Sequence, residues 1–429
     1  MDIELAYGRE KVSVRLPDEA AVEFVEPRAM DPAPAEELIR AALEHPIDSP
    51  RLEDIVRGKS RVVLVVSDKT RATAADRFLP HILRVLEKAG VAADRVTLVL
   101  ATGSHGGHSP EEMDQVLGPG IRTRFRVVDH DGEDRASHVR MGTTSRGTPL
   151  LFQREVVESD CLIITGAIGF HYFAGFGGGR KSLLPGVAHN DTILANHKLM
   201  LAGSDPDEPL CPSCANGSLR GNPIHEDMLE GSRPLNPAFL LNTILTADGR
   251  IAHAVAGDPW KAHEAGLEKV RSLFAVPAEK NAGLVIASCG GHPKDINFIQ
   301  AHKSLHHAFD LVSENGTLIL LAECAQGIGS EDFFQWFSTL DLRAAARRLD
   351  SEFTINAHTA YVTMRKALTR RIILVTAMPR ETVEAMGMER AESPAAAMDL
   401  ARGAAEGMDS VLVLPLAAVT VPLARSGGL

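Results

Sequence analysis

Three consecutive segments decide the fold of the first part of the chain: SRVVLVVSD (60–68), AADRFLPHILRVLEKAG (74–90) and DRVTLVLATG (94–103). The first and third are short, apolar and rich in β-branched residues, as in strands that are buried on both faces. The second has the periodicity of an amphipathic helix and ends at Gly90. This βαβ order predicts a mostly parallel sheet flanked by helices.

The last third of the chain repeats the pattern. Strand-like runs occur at 282–290, 316–324, 371–378 and 410–415, and helical segments are expected near 297–313, 331–349, 380–386 and 393–404. We therefore predict an α/β fold with two domains, each built on a mostly parallel sheet flanked by helices, and an active site in the cleft between them. The expected domains are 1–275 and 276–429, and we expect the extreme C-terminus to pack back on the first.

Composition narrows the class of protein. The 429 residues are 45% hydrophobic and 24% charged, as in a globular protein, and the formal net charge of −11 argues against a nucleic-acid binder. No apolar run approaches the ~20 residues of a membrane span, and the charged start MDIELAYGREKVSV is unlike a signal peptide. We expect a cytoplasmic protein with neither nucleic acid nor membrane as partner. The pattern predicts no oligomeric state, and five cysteines argue against a disulfide framework.

Polar clusters follow three of the predicted strands. Asp68 and Arg71 come after the first, His105 comes after the second, and Gly169–Lys181 follows the run CLIITGAIGF (161–170). Ligands of parallel α/β sheets bind beyond the carboxyl ends of the strands. We therefore expect these three loops to converge on one crevice.

The third loop belongs to the stretch HYFAGFGGGRKSLLPGVAHNDTILANH (171–197). Its glycines, Gly177, Gly178 and Gly179, would let the backbone approach a ligand closely, and Lys181 could meet a phosphate or react as an amine. A phosphate-binding P-loop is excluded by spacing, because Arg180 stands where glycine must precede the lysine. A mobile loop with a solvated basic pair is the alternative interpretation.

Three histidines are candidates for chemistry. His105 and His171 follow strands and could exchange protons near neutral pH, one on each face of a substrate carbon. His197 lies in a helical segment and could bind a metal through its imidazole. The spacing leaves His108 and His189 open as well, and a hydrogen-bonded loop role is the alternative for each histidine.

Cationic and amide side chains suggest a carboxylate site. Arg71 offers a bidentate fork, and Gln300 and Lys303 lie three residues apart, hence on one face of a predicted helix. Solvated surface charge is the alternative for these residues. Trp336 is interpreted either as an aromatic wall of the site or as part of the core.

Residues 203–235 are polar and turn-rich, and we interpret them as a loop over the site or a connection between layers. Within them, Cys211 and Cys214 have the spacing of half a zinc site or of a redox pair, with His225 as a possible further ligand. Two buried or loop thiols are the alternative.

The ordered motifs resemble those of the nickel-pincer-nucleotide lactate racemase family across most of the chain. They are SDKTR (67–71), ATGSH (101–105), GFHYFAGFGGGRKSLLPG (169–186) continuing to His197, GGHPKDINFIQAHKSL (290–305) and ECAQGIGSEDF (324–333).

The resemblance implies a cofactor and a set of roles. The family's cofactor is a pyridinium mononucleotide whose thio groups hold nickel, and Lys181 would carry it through a thioamide in a cofactor-anchoring first domain. His197 would be the protein ligand of the nickel, and His105 and His171 would be the acid/base pair. The substrate, a 2-hydroxy acid, would be held by Arg71, Gln300 and Lys303, with Asp68 and Gly177–Gly179 beside the cofactor. Cofactor-biosynthesis proteins would be partners.

The implied reaction is a proton-coupled hydride transfer. One histidine removes the hydroxyl proton, the hydride on C2 moves to the cofactor, and its return to the other face of a planar 2-keto acid inverts the centre. The sequence has Gly106 where the family often has arginine, which suggests a roomier pocket and a substrate larger than lactate, such as a sugar acid. The competing hypotheses are a dehydrogenase or phosphoryl-handling enzyme without nickel, and a protein that binds a carboxylate or nucleotide without turnover.

Overall fold

The chain folds into two compact α/β units. The computed structural model describes residues 1–28, 30–201, 203, 209–278, 281–354, 356–402 and 409–424. The larger unit comprises Ala29–Gly203 and Leu210–Ser272, and the smaller comprises mainly Met1–Arg28 and Leu273–Leu429. The predicted α/β class with two domains is therefore confirmed.

The larger unit is built on a six-stranded sheet. Its strands, in spatial order, are Ile251–Gly257, Phe239–Leu245, Cys161–Ala167, Val62–Ser67, Val96–Ala101 and Arg126–Asp129. All neighbours are parallel except Ile251–Gly257, which pairs antiparallel with Phe239–Leu245. Two antiparallel hairpins accompany the sheet: His138–Thr143 with Pro149–Gln153, and Phe170–His171 with Gly175–Phe176.

The central strand Val62–Ser67 is buried on both faces, and its alternate residues show how one face of the sheet meets its helices. Val62, Leu64 and Val66 belong to a core that includes apolar side chains of the helix Ala75–Lys88. This helix and both strands around it are therefore confirmed. The α-helices of the unit are Ala35–Glu44, Leu52–Val56, Ala75–Lys88, Pro110–Leu117, Ile121–Arg124, Arg154–Val157, Asn190–Lys198, Pro223–Ser232 and Lys261–Phe274. No helix in the described ranges has the length and apolar character needed to cross a membrane.

The smaller unit has a six-stranded sheet in which every neighbour is parallel. Its order is Glu389–Ala391, Arg371–Val375, Val312–Leu321, Ala282–Ser288, Ser410–Leu414 and Ala21–Phe24. The pairs Asp2–Tyr7 with Glu10–Arg15 and Ala275–Ala278 with Val421–Ala424 lie outside it. Its α-helices are Phe298–Phe309, Glu331–Phe334, Leu342–Ser351, Ala357–Thr369, Arg380–Ala385 and Pro394–Arg402.

Two parts of the chain differ from the sequence-based expectation. Residues 1–28 were expected in the first domain, but they belong to the smaller unit because Ala21–Phe24 adds a parallel strand beside Ser410–Leu414. The segment 203–235 contains the helix Pro223–Ser232. The side chain of Asn222 caps the start of this helix by accepting a hydrogen bond from the backbone N–H of His225. The extreme C-terminus, expected to pack on the first domain, lies outside the described residues from 425 onward.

The central strand should control the stability of the larger unit. Leu64 is fully buried in the core against the helix Ala75–Lys88, whereas Leu368 is an exposed leucine. We expect Leu64→Ala to lower the free energy of unfolding by about 2–5 kcal/mol through lost burial and a cavity. Leu368→Ala should change it by less than about 0.5 kcal/mol. Urea titration of both variants measures this, and equal effects would contradict the core assignment.

Candidate active site

The candidate site begins where the strand order of the larger unit reverses. From Val62–Ser67 the chain continues to Val96–Ala101 on one side, whereas Cys161–Ala167 lies on the other. Loops that follow such neighbouring strands at their carboxyl ends form the ligand crevice of open α/β sheets. Asp68, His105 and His171 follow these three strands, as the sequence predicts.

Asp68 and His105 form a hydrogen-bonded pair. Asp68 is 2% exposed, and its Oδ2 lies 2.7 Å from Nδ1 of His105. The Thr70 hydroxyl also donates to Asp68. Burial alone raises the pKa of Asp68, but the hydrogen bond and charge of His105, the charge of Arg71 and the hydrogen bond of Thr70 together hold that pKa below its ordinary value. Asp68 is therefore an ionised carboxylate that fixes the imidazole.

The hydrogen bond to Asp68 also selects the tautomer of His105. A carboxylate only accepts, so Nδ1 carries the proton and Nε2 carries the lone pair in the neutral ring. The side chain of His105 is 38% exposed. Nε2 of His105 is thus able to accept a proton.

The side chains of His171, Lys181 and His197 surround one aromatic ring, that of Phe173. Its centroid lies 4.4 Å from that of His171 and 5.1 Å from that of His197, both edge-on. Nζ of Lys181 lies 5.4 Å from the same centroid. Phe173 is buried. We call these four residues the Phe173 cluster, and they unite the three predicted functions of this stretch in one place.

His171 has the opposite tautomer to His105. Its Nδ1 accepts a hydrogen bond of 3.3 Å from the backbone N–H of Ala174. In the neutral ring the proton then resides on Nε2, which makes His171 a proton donor. Tyr172 stacks on the ring, with 5.4 Å between centroids and 9° between planes, and so helps to hold its orientation.

His197 has the proton arrangement of a metal ligand. It lies in the last turn of the helix Asn190–Lys198 and is 5% exposed. Its Nδ1 lies 2.9 Å from the carbonyl oxygen of Ile193, which only accepts, so Nδ1 donates and Nε2 carries the lone pair. Metal-binding histidines are commonly oriented by such a bond from the other ring nitrogen.

The amine of Lys181 has a lowered pKa. It lies in the short 3₁₀ turn Gly179–Ser182 and is partly buried. Burial, followed by the positive charges of Arg180 and Arg71, lowers its pKa well below the ordinary value of a lysine. An uncharged amine is a nucleophile, so Lys181 fits the role of a covalent anchor.

The glycine run has a structural reason of its own. A Cβ on Gly178 would lie 2.7 Å from Oδ1 of Asn242, and one on Gly179 would lie 2.7 Å from the ring of His263. Both glycines also have positive φ angles. The backbone N–H of Gly179 donates to Asn242, and Nε2 of His263 donates to the carbonyl oxygen of Gly177. Because these glycines have no Cβ, the loop can pack closely against the side chains of Asn242 and His263, which support it.

The helix Phe298–Phe309 carries the other predicted substrate ligands. Nζ of Lys303 donates a hydrogen bond of 2.8 Å to Oε1 of Gln300, which confirms that the two lie on one helix face. Arg71 is exposed on the loop after Val62–Ser67. Guanidinium, ammonium and amide groups of this kind suit a carboxylate.

Two histidines left open by the sequence have structural contacts. Nδ1 of His108 lies 2.7 Å from Oδ1 of Asp129, while its Nε2 accepts from the backbone N–H of Lys69. His189 accepts a hydrogen bond from the backbone N–H of Asp191 at the start of the helix Asn190–Lys198. Both rings therefore support loops.

The other open assignments are also structural. Cys211 and Cys214 are free thiols, and burial raises the pKa of Cys214 to about 12, so its reactive thiolate is disfavoured. Trp336 is buried, with the guanidinium of Arg348 4.3 Å from its ring centroid. Across the described part of the chain, no three histidine, cysteine or acidic side chains converge into a metal site.

Sequence reasoning missed the residues that hold the Phe173 cluster together. At the sequence level Phe173 is only one residue of a longer motif, and Asn222 has no predicted role. The buried amide of Asn222 donates 2.8 Å to the carbonyl oxygen of Phe173 while it caps the helix Pro223–Ser232. The Asn-Pro pair at this helix start is the one sequence signal that could have revealed it.

Comparison with known proteins covers both units. Residues 7–207 match the lactate racemase N-terminal domain, and residues 277–421 match the lactate racemase C-terminal domain. The lactate racemase of Thermoanaerobacterium thermosaccharolyticum is 36% identical over 339 residues, covering 78% of each chain. That of Lactiplantibacillus plantarum is 34% identical over 343 residues, covering 79% of this chain and 78% of the relative.

Comparison with solved structures supports the same relationship. The lactate racemase apoprotein of T. thermosaccharolyticum superimposes with a TM-score of 0.90 at 32% identity, over 99% of this chain and 100% of that one. A protein from Thermotoga maritima shares the fold, with a TM-score of 0.67 at 16% identity, over 92% of this chain and 99% of that one.

The fold and the sequence relationship define an enzyme of the isomerase class, a racemase. The chain belongs to the lactate racemase family. The resemblance seen in the ordered motifs is thereby confirmed. The competing hypotheses of a dehydrogenase, a phosphoryl-handling enzyme and a binding protein without turnover are set aside.

The Asp68–His105 pair predicts a specific pH dependence of stability. Because the pKa of Asp68 is lowered in the folded protein, its contribution to the free energy of unfolding is complete above the unfolded value of about 4 and is lost as the pH falls through the folded value. We expect Asp68→Asn to lower the urea midpoint of unfolding at pH 7. The difference in midpoint between this variant and the unsubstituted protein should become smaller as the pH falls below about 4.

Urea titrations between pH 7 and pH 3 measure this narrowing. Asp31→Asn is the control, because its side chain is fully exposed, and it should leave the midpoint nearly unchanged throughout. A difference between Asp68→Asn and the unsubstituted protein that stays constant with pH would contradict the pairing.

Proposed function

We propose that this protein is a racemase or epimerase that inverts C2 of a 2-hydroxy acid with a nickel-pincer nucleotide joined to Lys181. The observation that carries the proposal is the Phe173 cluster. It combines a lysine amine whose pKa is lowered with a histidine whose Nε2 lone pair is set by the Nδ1 bond to Ile193. These are the two attachments that a tethered nickel cofactor requires of the protein.

The acid and base of the reaction are assigned to His105 and His171. His105 has a lone pair on Nε2 and an ionised carboxylate behind it, so it would accept the substrate hydroxyl proton. His171 has its proton on Nε2 and would return one when the hydroxyl forms again. In the opposite direction of the racemisation the two rings exchange these roles.

Substrate binding is assigned to cationic and amide donors. Arg71 would hold the carboxylate through its fork, and Gln300 and Lys303 would supply further donors. The bond from Lys303 occupies Oε1 of Gln300, so the substrate would be met by the amide N–H group of Gln300. A carboxylate held this way stays in place while C2 becomes planar in a 2-keto acid and is rebuilt with inverted configuration.

The cofactor, when bound, supplies the hydride acceptor that no side chain provides. His197 would bind its nickel through Nε2, and Asp68 and the Gly177–Gly179 backbone would lie beside it. Loading would require cofactor-biosynthesis proteins as partners.

The mass of the protein tests the proposal. Protein from a host that makes the cofactor should carry an adduct on Lys181 and bind nickel, whereas Lys181→Ala should carry no adduct. Lys88→Ala, at an exposed lysine, is the matched control and should keep it. His197→Ala should retain the organic adduct and lose most of the nickel. Intact-mass spectrometry and metal analysis measure these outcomes. An enzyme that is active without the adduct and without nickel would contradict the proposal.

Space beside His105 suggests a substrate larger than lactate. Gly106 is exposed, and a Cβ built on it would meet nothing within 4 Å, whereas one on Gly107 would lie 2.8 Å from Asp129. We propose that this opening admits a longer, polar 2-hydroxy acid.

Substitution at Gly106 tests substrate size. Gly106→Arg should lower kcat/KM for longer 2-hydroxy acids by about tenfold or more through steric exclusion, with a smaller effect on lactate. Gly106→Ala, which fills little of the opening, is the control. Chiral chromatography of a substrate panel gives the rates, and an equal loss for lactate and longer acids would refute the size assignment.

A further inference from the structure

Asp227 is a fully buried acidic residue in the helix Pro223–Ser232 that links this helix to two other elements of the larger unit. Its Oδ1 accepts a hydrogen bond of 2.5 Å from the hydroxyl of Thr144, in the hairpin turn, and its Oδ2 accepts one of 2.8 Å from Nδ2 of Asn196. Asn196 is fully buried as well. Because a carboxylate only accepts, the group of Asn196 that faces Asp227 is its N–H group, and this fixes the orientation of the amide.

Asn196 directly precedes His197 in the helix Asn190–Lys198. One turn earlier in this helix, the hydroxyl of buried Thr192 accepts a hydrogen bond of 3.1 Å from the backbone N–H of Leu151. Residues four apart lie on one helix face, so Thr192 and Asn196 anchor the same face of the helix. His197 follows one position later, about 100° further round the axis. The anchored face therefore sets the direction in which the imidazole projects.

The helix that carries Asp227 also holds the other elements of the Phe173 cluster. Asn222, at its start, donates a hydrogen bond of 2.8 Å to the carbonyl oxygen of Phe173. Ser232, its last residue, donates one of 3.4 Å to the carbonyl oxygen of Arg180, in the 3₁₀ turn that bears the lysine of the cluster. The aromatic ring, the lysine turn and, through Asp227, the helix of the proposed nickel ligand are thus held from one element.

We propose that Asp227 is a positioning residue for His197, the proposed nickel ligand. Through the buried amide of Asn196 it fixes the rotation of the helix, and so holds the imidazole at its place beside Phe173, 5.1 Å between ring centroids. Residues that orient a metal-binding histidine control how firmly the metal is held. Loss of the link should therefore loosen the nickel and leave the covalent tether intact. As a statement about nickel this rests on the proposed function, whereas the placement of the ring does not.

Two polar-to-apolar variants each remove one of the two hydrogen bonds of Asp227. Asn196→Leu breaks the link to the helix of His197, whereas Thr144→Val, the matched control, breaks the link to the hairpin turn. Metal analysis follows nickel release from adduct-bearing protein into a chelator, and intact mass measures the adduct. Asn196→Leu should release nickel about tenfold faster than the unsubstituted protein and keep its adduct, and Thr144→Val should release it at the unsubstituted rate. Equal release rates for the two variants would overturn the inference.

The place of the His197 ring can be measured without the cofactor. In the cofactor-free full chain, NMR of isotope-labelled histidine follows the ring protons of His197, whose signals are shifted by the ring current of the neighbouring Phe173. The signal that disappears in His197→Ala assigns them. Asn196→Leu should move these signals, and Thr144→Val should leave them in place. A folded Asn196→Leu protein with unmoved His197 signals would overturn the inference.

The unsubstituted protein decides the matter if Asn196→Leu does not fold. The side-chain amide protons of Asn196 should exchange slowly with solvent, because they are buried and bonded to Asp227 and to the carbonyl oxygen of Ile224 at 3.3 Å. Rapid exchange would overturn the inference. If Lys181 never carries an adduct yet the His197 signals depend on Asn196, the proposed function fails and the positioning role stands.

Discussion

The contact of one phenylalanine ring with three functional side chains is the constraint on which the candidate site depends. Phe173 contacts His171 and His197 edge-on and lies under the amine of Lys181. His171 lies in the same hairpin as Phe173, whereas His197 comes from a helix and Lys181 from a 3₁₀ turn. The backbone at the ring is held by Asn222, which donates to the carbonyl oxygen of Phe173, and by Arg180, which donates to that of Ala174.

Each functional group owes its proton state to a named partner. Asp68 fixes the proton of His105 on Nδ1, a backbone N–H leaves that of His171 on Nε2, and the Ile193 carbonyl fixes that of His197 on Nδ1. Burial, followed by the positive charges of Arg180 and Arg71, lowers the pKa of Lys181. The fold thus gives three histidines different proton arrangements, which are the ones that the proposed base, acid and metal ligand need.

Sequence periodicity predicted the regular elements well where the pattern of a strand or helix is contained in a short stretch of sequence. The strand Val62–Ser67, the helix Ala75–Lys88 and the placement of His105 after its strand all follow from patterns within about fifteen residues. Pairing across long separations did not follow. Ala21–Phe24 joins Ser410–Leu414 in one sheet, and a short strand of mixed exposure carries no signal for so distant a partner.

The candidate site shows the same division between what local sequence patterns predict and what depends on long-range contacts. Asp68, His105 and Lys181 could be predicted as site residues because their residue types and motif positions are informative. The roles of Phe173 and Arg180 depend on tertiary contacts, and a basic pair in a glycine-rich loop suggests solvated charge. Burial of one member of that pair reverses this interpretation. The helix Ala357–Thr369 was also missed, since most of its side chains are buried and its amphipathic pattern is weak.

The central claim is that inversion at C2 proceeds by hydride transfer, with the histidines handling only the hydroxyl proton. The most direct measurement is the racemisation, by cofactor-loaded protein in ordinary water, of a 2-hydroxy acid that carries deuterium at C2. The account predicts that the inverted product retains the deuterium, because the hydrogen leaves and returns without exchange with solvent. An inverted product with solvent hydrogen at C2 from the first turnover would show that a histidine removes the C2 proton directly, and it would contradict the account.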